Sequence, residues 1–138
     1  MRSVFNGILS LRALDPVAAG AAAQNGVAID TLGYNSGTFV VHNGVATGVP
    51  TSYTVDGKVQ ESADGSTGWA DVVGAAITQI AANSIAKVIR VEGLGTSRKR
   101  YLRVVVTPAF VGGTSPAALV SAIANLGNAF RQPVVNAS

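Results

Sequence analysis

The sequence contains no cysteine, which excludes disulfides, thiolate metal sites and cysteine nucleophiles together. It has one histidine, His42, so a multi-histidine metal centre is excluded as well. Charge is scarce: charged residues make up 12% of the chain, about half the share usual in a soluble domain. Charge keeps a protein surface wet and apart from its neighbours, so a chain this poor in it is expected to cover much of its surface with something else. Between Arg103 and Arg131 there is no charge at all, a length that could span a membrane. Pro108, Gly112, Gly113, Pro116 and Asn125 break that stretch into short pieces, and a span is rejected. The apolar run from Val4 to Leu11 is interrupted by Asn6, Gly7 and Ser10, and Arg12 and Asp15-Pro16 follow it, which argues against a secretory signal.

What remains is one domain by length, 138 residues with 48% apolar content. Residues 1–26 lack period-two alternation and end in the turn signal Gln24-Asn25-Gly26, so they are expected to form an extended, partly irregular N-terminal arm. A short Ala-rich helix over Val17 to Gln24 is a possibility within it, weakened by Gly20. From residue 27 to 138 the pattern is a series of short β runs between turns. Val27 to Thr31 and Gly37 to His42 are the first. Ser52 to Glu61 places Tyr53, Val55 and Val59 on one face and Thr54, Asp56, Lys58 and Gln60 on the other, unless Asp56-Gly57 makes a hairpin turn. Trp69 to Val73, Ile85 to Glu92 and Arg98 to Thr107 follow. Val72 to Ala82 fits a helical turn or an irregular strand. Ala117 to Leu126 is assigned as strand despite its alanines, because it follows a β series and a Gly/Pro-rich loop. The expected fold is all-β, a jelly-roll or antiparallel β-sandwich.

Groups for catalysis are thinly spread. A serine nucleophile would have only His42 to activate it, and His42 ends an apolar strand beside the turn Asn43-Gly44. The seven carboxylates stand singly; Asp64 and Asp71 flank one turn but lack the alternating oxygens of a calcium loop. Gly93-Leu94-Gly95 opens into a strand and is no phosphate loop. The expectation is a protein without enzymatic activity, metal or cofactor.

The one charge constellation is basic. Six of the ten cations lie between Lys87 and Arg103: Lys87, Arg90, Arg98, Lys99, Arg100 and Arg103. Arg98, Lys99, Arg100 and Arg103, with Arg2 and Arg12 of the arm, are the candidate partner-binding residues. Only Tyr101 could stack a base among them, and net charge is +3, so an acidic protein surface is the expected partner and nucleic acid is not. Trp69 follows a turn and reads either as core between two sheets or as an exposed platform for a sugar, with core favoured.

The run Val59-Gln60-Glu61-Ser62-Ala63-Asp64-Gly65-Ser66-Thr67-Gly68-Trp69-Ala70-Asp71-Val72 resembles a strand–turn–strand element of jelly-roll sandwiches. Followed by Lys99 to Thr107 and the tail Arg131-Gln132-Pro133-Val134, it is similar to capsid cement (decoration) proteins of tailed bacteriophages, such as those of Bordetella-infecting phages. The resemblance covers about residues 52 to 135. It implies a structural virion protein that sits on the outer surface of an icosahedral capsid, clamps neighbouring major capsid proteins and forms homo-oligomers, a dimer before a trimer. A carbohydrate-binding or host-recognition module and a head–tail or tail component are the alternatives.

Overall fold

The computed structural model describes residues 3–131 and 134–136. One helical turn, α1 (Val4–Gly7), precedes nine strands: β1 (Leu9–Ala19), β2 (Gln24–Asn25), β3 (Ile29–Asp30), β4 (Tyr34–Thr47), β5 (Ser52–Ser62), β6 (Ala70–Ala76), β7 (Ala86–Glu92), β8 (Tyr101–Val111) and β9 (Ala117–Ala129). They form two antiparallel sheets. Sheet A has the order β1-β9-β4-β7, and sheet B the order β2-β8-β5-β6, with β3 also on β8. Counting β2 and β3 as halves of one interrupted strand, the chain crosses between sheets as an eight-stranded jelly roll does. The expected fold class is the observed one.

Period-two patterning explains which faces meet. On β5, Val55 and Val59 point into the core, and on β7 so do Ile89 and Val91. On β9 the inward row is Ala118, Val120, Ala122, Ala124 and Leu126, all buried. Helix propensity at these alanines loses because β9 is hydrogen-bonded on both sides, to β1 and to β4. Phe39, Ile80, Leu94, Leu102, Val104 and Val106 complete the core, each worth roughly 1.5–3 kcal/mol of burial.

One expectation is corrected, and two alternatives fall away. Residues 9–19 are not part of a separate arm; they are a strand of sheet A, with Leu9 opposite Leu126 and Ala19 opposite Ala118. Pro16 and Asp15 hid that strand, because they fall where the register shifts between Leu14 and Val17, a bulge that asks for no N–H from a proline. Ala18 and Ala19 continue that strand in place of a helix, paired with Leu119 and Ala118 at the start of β9. Asp56-Gly57 is not a turn; β5 runs straight through, with Gly57 opposite Val106. A Cβ on Gly57 would approach Ile77 Cδ1 at 3.1 Å, so the position is small because the neighbouring chain is close. In the ambiguous segment from Val72 to Ala82, β6 bulges away from β5 and an isolated bridge from Ile80 to Val55 closes the gap.

Candidate functional site

The topology sorts the charges of the chain to one end of the sandwich. The β7–β8 connection carries Arg98, Lys99 and Arg100, the start of β4 lies beside it, and the loop from Ser62 to Trp69 folds over Tyr101. Of the predicted cations of this end, Arg98, Arg100 and Arg103 are engaged through their side chains, and Lys99 through its backbone alone. Arg100 makes a two-pronged pair with Asp30, Nε to Oδ1 at 2.9 Å and Nη2 to Oδ2 at 2.7 Å. That guanidinium, helped by the Leu32 N–H, holds Asp30 below the usual carboxylate range, and the carboxylate in turn raises Arg100. Arg98 lies 3.9 Å from Glu61, whose other oxygen accepts the Lys99 backbone N–H at 3.0 Å. Arg103 stands on the outer face of sheet B, donates twice to Gln60 Oε1 and covers the Trp69 ring at 4.4 Å. Gln60 passes the chain on to Asp71, which Lys58 also holds; both bonds lower Asp71, the lysine's more.

The remaining candidates are elsewhere. Arg12 is on the outer face of sheet A, opposite Ile123 and paired with Asp15 at 3.1 Å. Arg2 lies outside the described residues. The five described candidates do not converge on one surface. Trp69 is half-buried, which corrects its placement in the core: the Arg103 guanidinium stacks on it on the outer face of a sheet, so it does not fill the space between sheets. His42 is exposed at the outer face of sheet A, between Ala86 and Ser121.

Asp64 orders the Ser62–Trp69 loop. Its carboxylate accepts the backbone N–H groups of Thr67 and Ser66, then the hydroxyls of Thr67 and Ser62, and these bonds hold it far below the usual range. Every acceptor site is thus used to shape the turn. Among the described residues there is no group of three or more His, Asp or Glu side chains that could hold a metal ion, and no helix long and apolar enough to cross a membrane.

The opposite end is built differently. Four connections meet there: residues 20–23, 48–51, 77–85 and 112–116. None of them contains Lys, Arg, Asp or Glu. They are held by backbone bonds, Thr51 N–H to Val111 O at 2.8 Å, Thr114 N–H to Gly48 O at 2.8 Å, and Ser84 N–H to Gly44 O at 3.2 Å. Beneath them Asn43 is completely buried and fully bonded. It donates to the Tyr53 hydroxyl and the Ala82 carbonyl and accepts the Ile85 N–H, all at 2.9 Å. Tyr53 then donates to Asn83 Oδ1 at 2.6 Å, and burial pushes its pKa up. Above this knot, Val49, Ser84 and Ser115 all have positive φ, and Val49 is 90% exposed. A β-branched residue in the left-handed region is strained by about 1–2 kcal/mol, and here the neighbouring loops enforce it. A shallow groove of about 790 Å³ runs alongside, lined by Ala46, Val49, Pro50, Tyr53, Ala82 and Asn83 among others.

No protein-family model matches the chain, and no curated protein does. Solved structures match it in fold at low identity. Latent PorU of Porphyromonas gingivalis aligns over 92% of this chain at 9% identity with a TM-score of 0.51, though the chain spans only 13% of that protein's length. The disulfide-linked pili of Bacillus endospore appendages align over 88% of each chain at 15% identity, TM-score 0.41. The C-terminal family 22 carbohydrate-binding module of Clostridium thermocellum Xyn10B aligns over 97% of this chain and 92% of its own, at 12% identity and TM-score 0.42. At these identities the likeness concerns fold alone.

Proposed function

We propose that the protein is a structural binding module that docks by its uncharged end onto a larger assembly. The assembly is an icosahedral bacteriophage shell, which it clamps from outside by gripping neighbouring capsid subunits. The observation that carries the docking surface is the end itself: four connections without one ionised group, three of them tied by backbone bonds to neighbouring strands or loops, with Val49 projecting from them. Burying such a surface desolvates no charge. Because the loops are already fixed, little ordering entropy is lost on contact. Weak identical contacts then add by avidity over a symmetric shell, and binding the assembled state stabilises it by mass action. The likeness of residues 52–135 to capsid cement proteins supplies the identity of the shell, and favours a dimer as the unit that bridges subunits.

Co-sedimentation with mature, undecorated capsids tests this. The wild-type protein should bind saturably, raise the shells' melting temperature, and lose little affinity as salt rises from about 50 to 500 mM, since no exposed ion pair is involved. Val49→Asp should abolish binding while leaving the fold intact, because Asp tolerates a positive φ better than valine does. Absence of binding to every capsid form would overturn the shell assignment. Binding untouched by Val49→Asp but lost on neutralising Arg98, Lys99 and Arg100 would move the contact to the other end.

A further inference from the structure

A two-sheet sandwich has four edges, and three of them are closed in this molecule. The β1 edge is bulged twice and carries Pro16. It is also covered, by the Val27 N–H on Ala13 O at 2.9 Å and by Asn136, whose side chain takes the Ser10 N–H and donates to Phe5 O and Ile8 O. The β2/β3 edge consists of two two-residue pieces. The β6 edge is broken by a bulge over residues 72–75, where Gly74 has φ +78° and Val73 projects 95% exposed. Short strands, bulges and prolines are the devices that stop a sheet edge from pairing with another chain.

The fourth edge, β7, has none of them. All seven residues pair with β4 in unbroken register, from Ser36 opposite Glu92 to His42 opposite Ala86. No proline, glycine or bulge interrupts it. The flanking backbone bonds turn to the β4 side as well, Asn43 N–H to Ile85 O and Leu94 N–H to Asn35 O. Among the described residues no backbone group bonds the outer side of β7.

We propose that this edge receives an extended segment of a partner protein as a fifth strand of sheet A, one that alternates apolar and acidic residues. The sheet's outer face shows what that strand must bring. An apolar row, Ile123, Val40 and Val88, crosses β9, β4 and β7 and stops at the edge, with Val88 still 61% exposed. An apolar side chain on an added strand continues the row and covers Val88. The charge of β7 is Lys87 and Arg90 against Glu92 alone. Arg90 and Glu92, on the outer face with Val88, already hold each other at 2.6 Å, whereas Lys87 stands on the other face, across from Val41, and reaches the Thr78 hydroxyl at 3.1 Å; a carboxylate at the alternate positions of the incoming strand completes its pairing. In the antiparallel register centred on Ile89, a second copy of this chain would set Val88 against Arg90 and Lys87 against Val91. The inference stands apart from the shell reading, since β7 lies along the side of the sandwich and not at its uncharged tip.

The probe is an N-acetylated, C-amidated peptide of about eight residues alternating valine with threonine and glutamate, titrated into the labelled full-length protein and followed by amide shifts and exchange. Shift changes and slowed exchange confined to residues 86–92 are expected. Lys87→Glu should weaken this peptide about fivefold and strengthen its lysine-for-glutamate counterpart, a reversal that misfolding could not produce. Val88→Lys, at an exposed position, should weaken both. Three results would overturn the proposal: perturbation centred on β1 or β6, no perturbation at all, or protection of 86–92 that appears without peptide and grows with protein concentration, which would make the occupant a second copy.

Discussion

At the uncharged end the loops are fixed by main-chain bonds and by one buried amide, Asn43, whereas at the charged end main-chain bonds such as Thr31 N–H to Arg100 O are joined by side chains that carry charge. Asp64 shapes the 62–69 turn, Asp30 anchors Arg100, and Glu61 takes the Lys99 N–H. The two constructions differ in what disturbs them. Main-chain bonds and buried amides ignore pH and salt but tolerate no change of shape. Solvated ion pairs tolerate truncation, are worth little singly, and fade with acid and ionic strength. A surface meant to meet another protein closely is better made the first way, while the second keeps the far end wet.

The sharpest way to break this contrast is to remove one anchor from each end. Asn43→Ala should cost about 2–4 kcal/mol, because it empties a fully buried site and removes the three bonds that join Tyr53, Ala82 and Ile85 there. Asp30→Ala, which deletes the best ion pair of the other end, should cost no more than about 1 kcal/mol. Chemical denaturation of both variants measures the difference, and equal losses would dissolve the distinction.

A smaller effect separates the glycines. Gly48 and Gly68 both have positive φ, but a Cβ at Gly48 would sit 2.5 Å from Thr114 O, while at Gly68 it meets nothing within 4 Å. Gly68→Ala should therefore cost only the backbone strain, about 1 kcal/mol, and Gly48→Ala at least about 2. Melting temperatures of the pair decide it.

The smallest effect is pH dependence, and it should come from the charged end. Asp30, Asp64 and Asp71 are all depressed in the folded state, so their contribution is full above the ordinary carboxylate value of 3.8 and is lost as the pH falls below it towards their folded values. Stability should be level from about pH 8 to 5 and decline below about 4. In Asp64→Asn the decline should be shallower, since one depressed group is gone. A decline unchanged in that variant would place the acid sensitivity elsewhere.

Much of this architecture is legible in the residues. Alternation on Ser52 to Glu61 and on Ile85 to Glu92 assigns β5 and β7 and their inward faces correctly, and the pattern of β9 survives its alanines. Strand β1 is hidden because its alternation is broken by two bulges and a proline, features that only pairing with β9 explains. The uncharged end was present as four charge-free stretches, 16–29, 31–55, 72–86 and 104–130. Nothing in one dimension says that the turns inside them meet; strand order does. The basic cluster misleads for the converse reason. In the run of six cations from Lys87 to Arg103, Arg98 and Arg100 read as free because their partners, Glu61 and Asp30, are far away in sequence and adjacent in space.

The side chain of Asn136, bonded to Phe5, Ile8 and Ser10, brings the last described residues back onto the first. Both lie beyond the start of β1 and the close of β9, at the end opposite Val49. Three bonds of one amide thus clasp residue 136 to the segment that leads into β1, so a change at Asn136 should loosen both together while leaving the uncharged pole untouched.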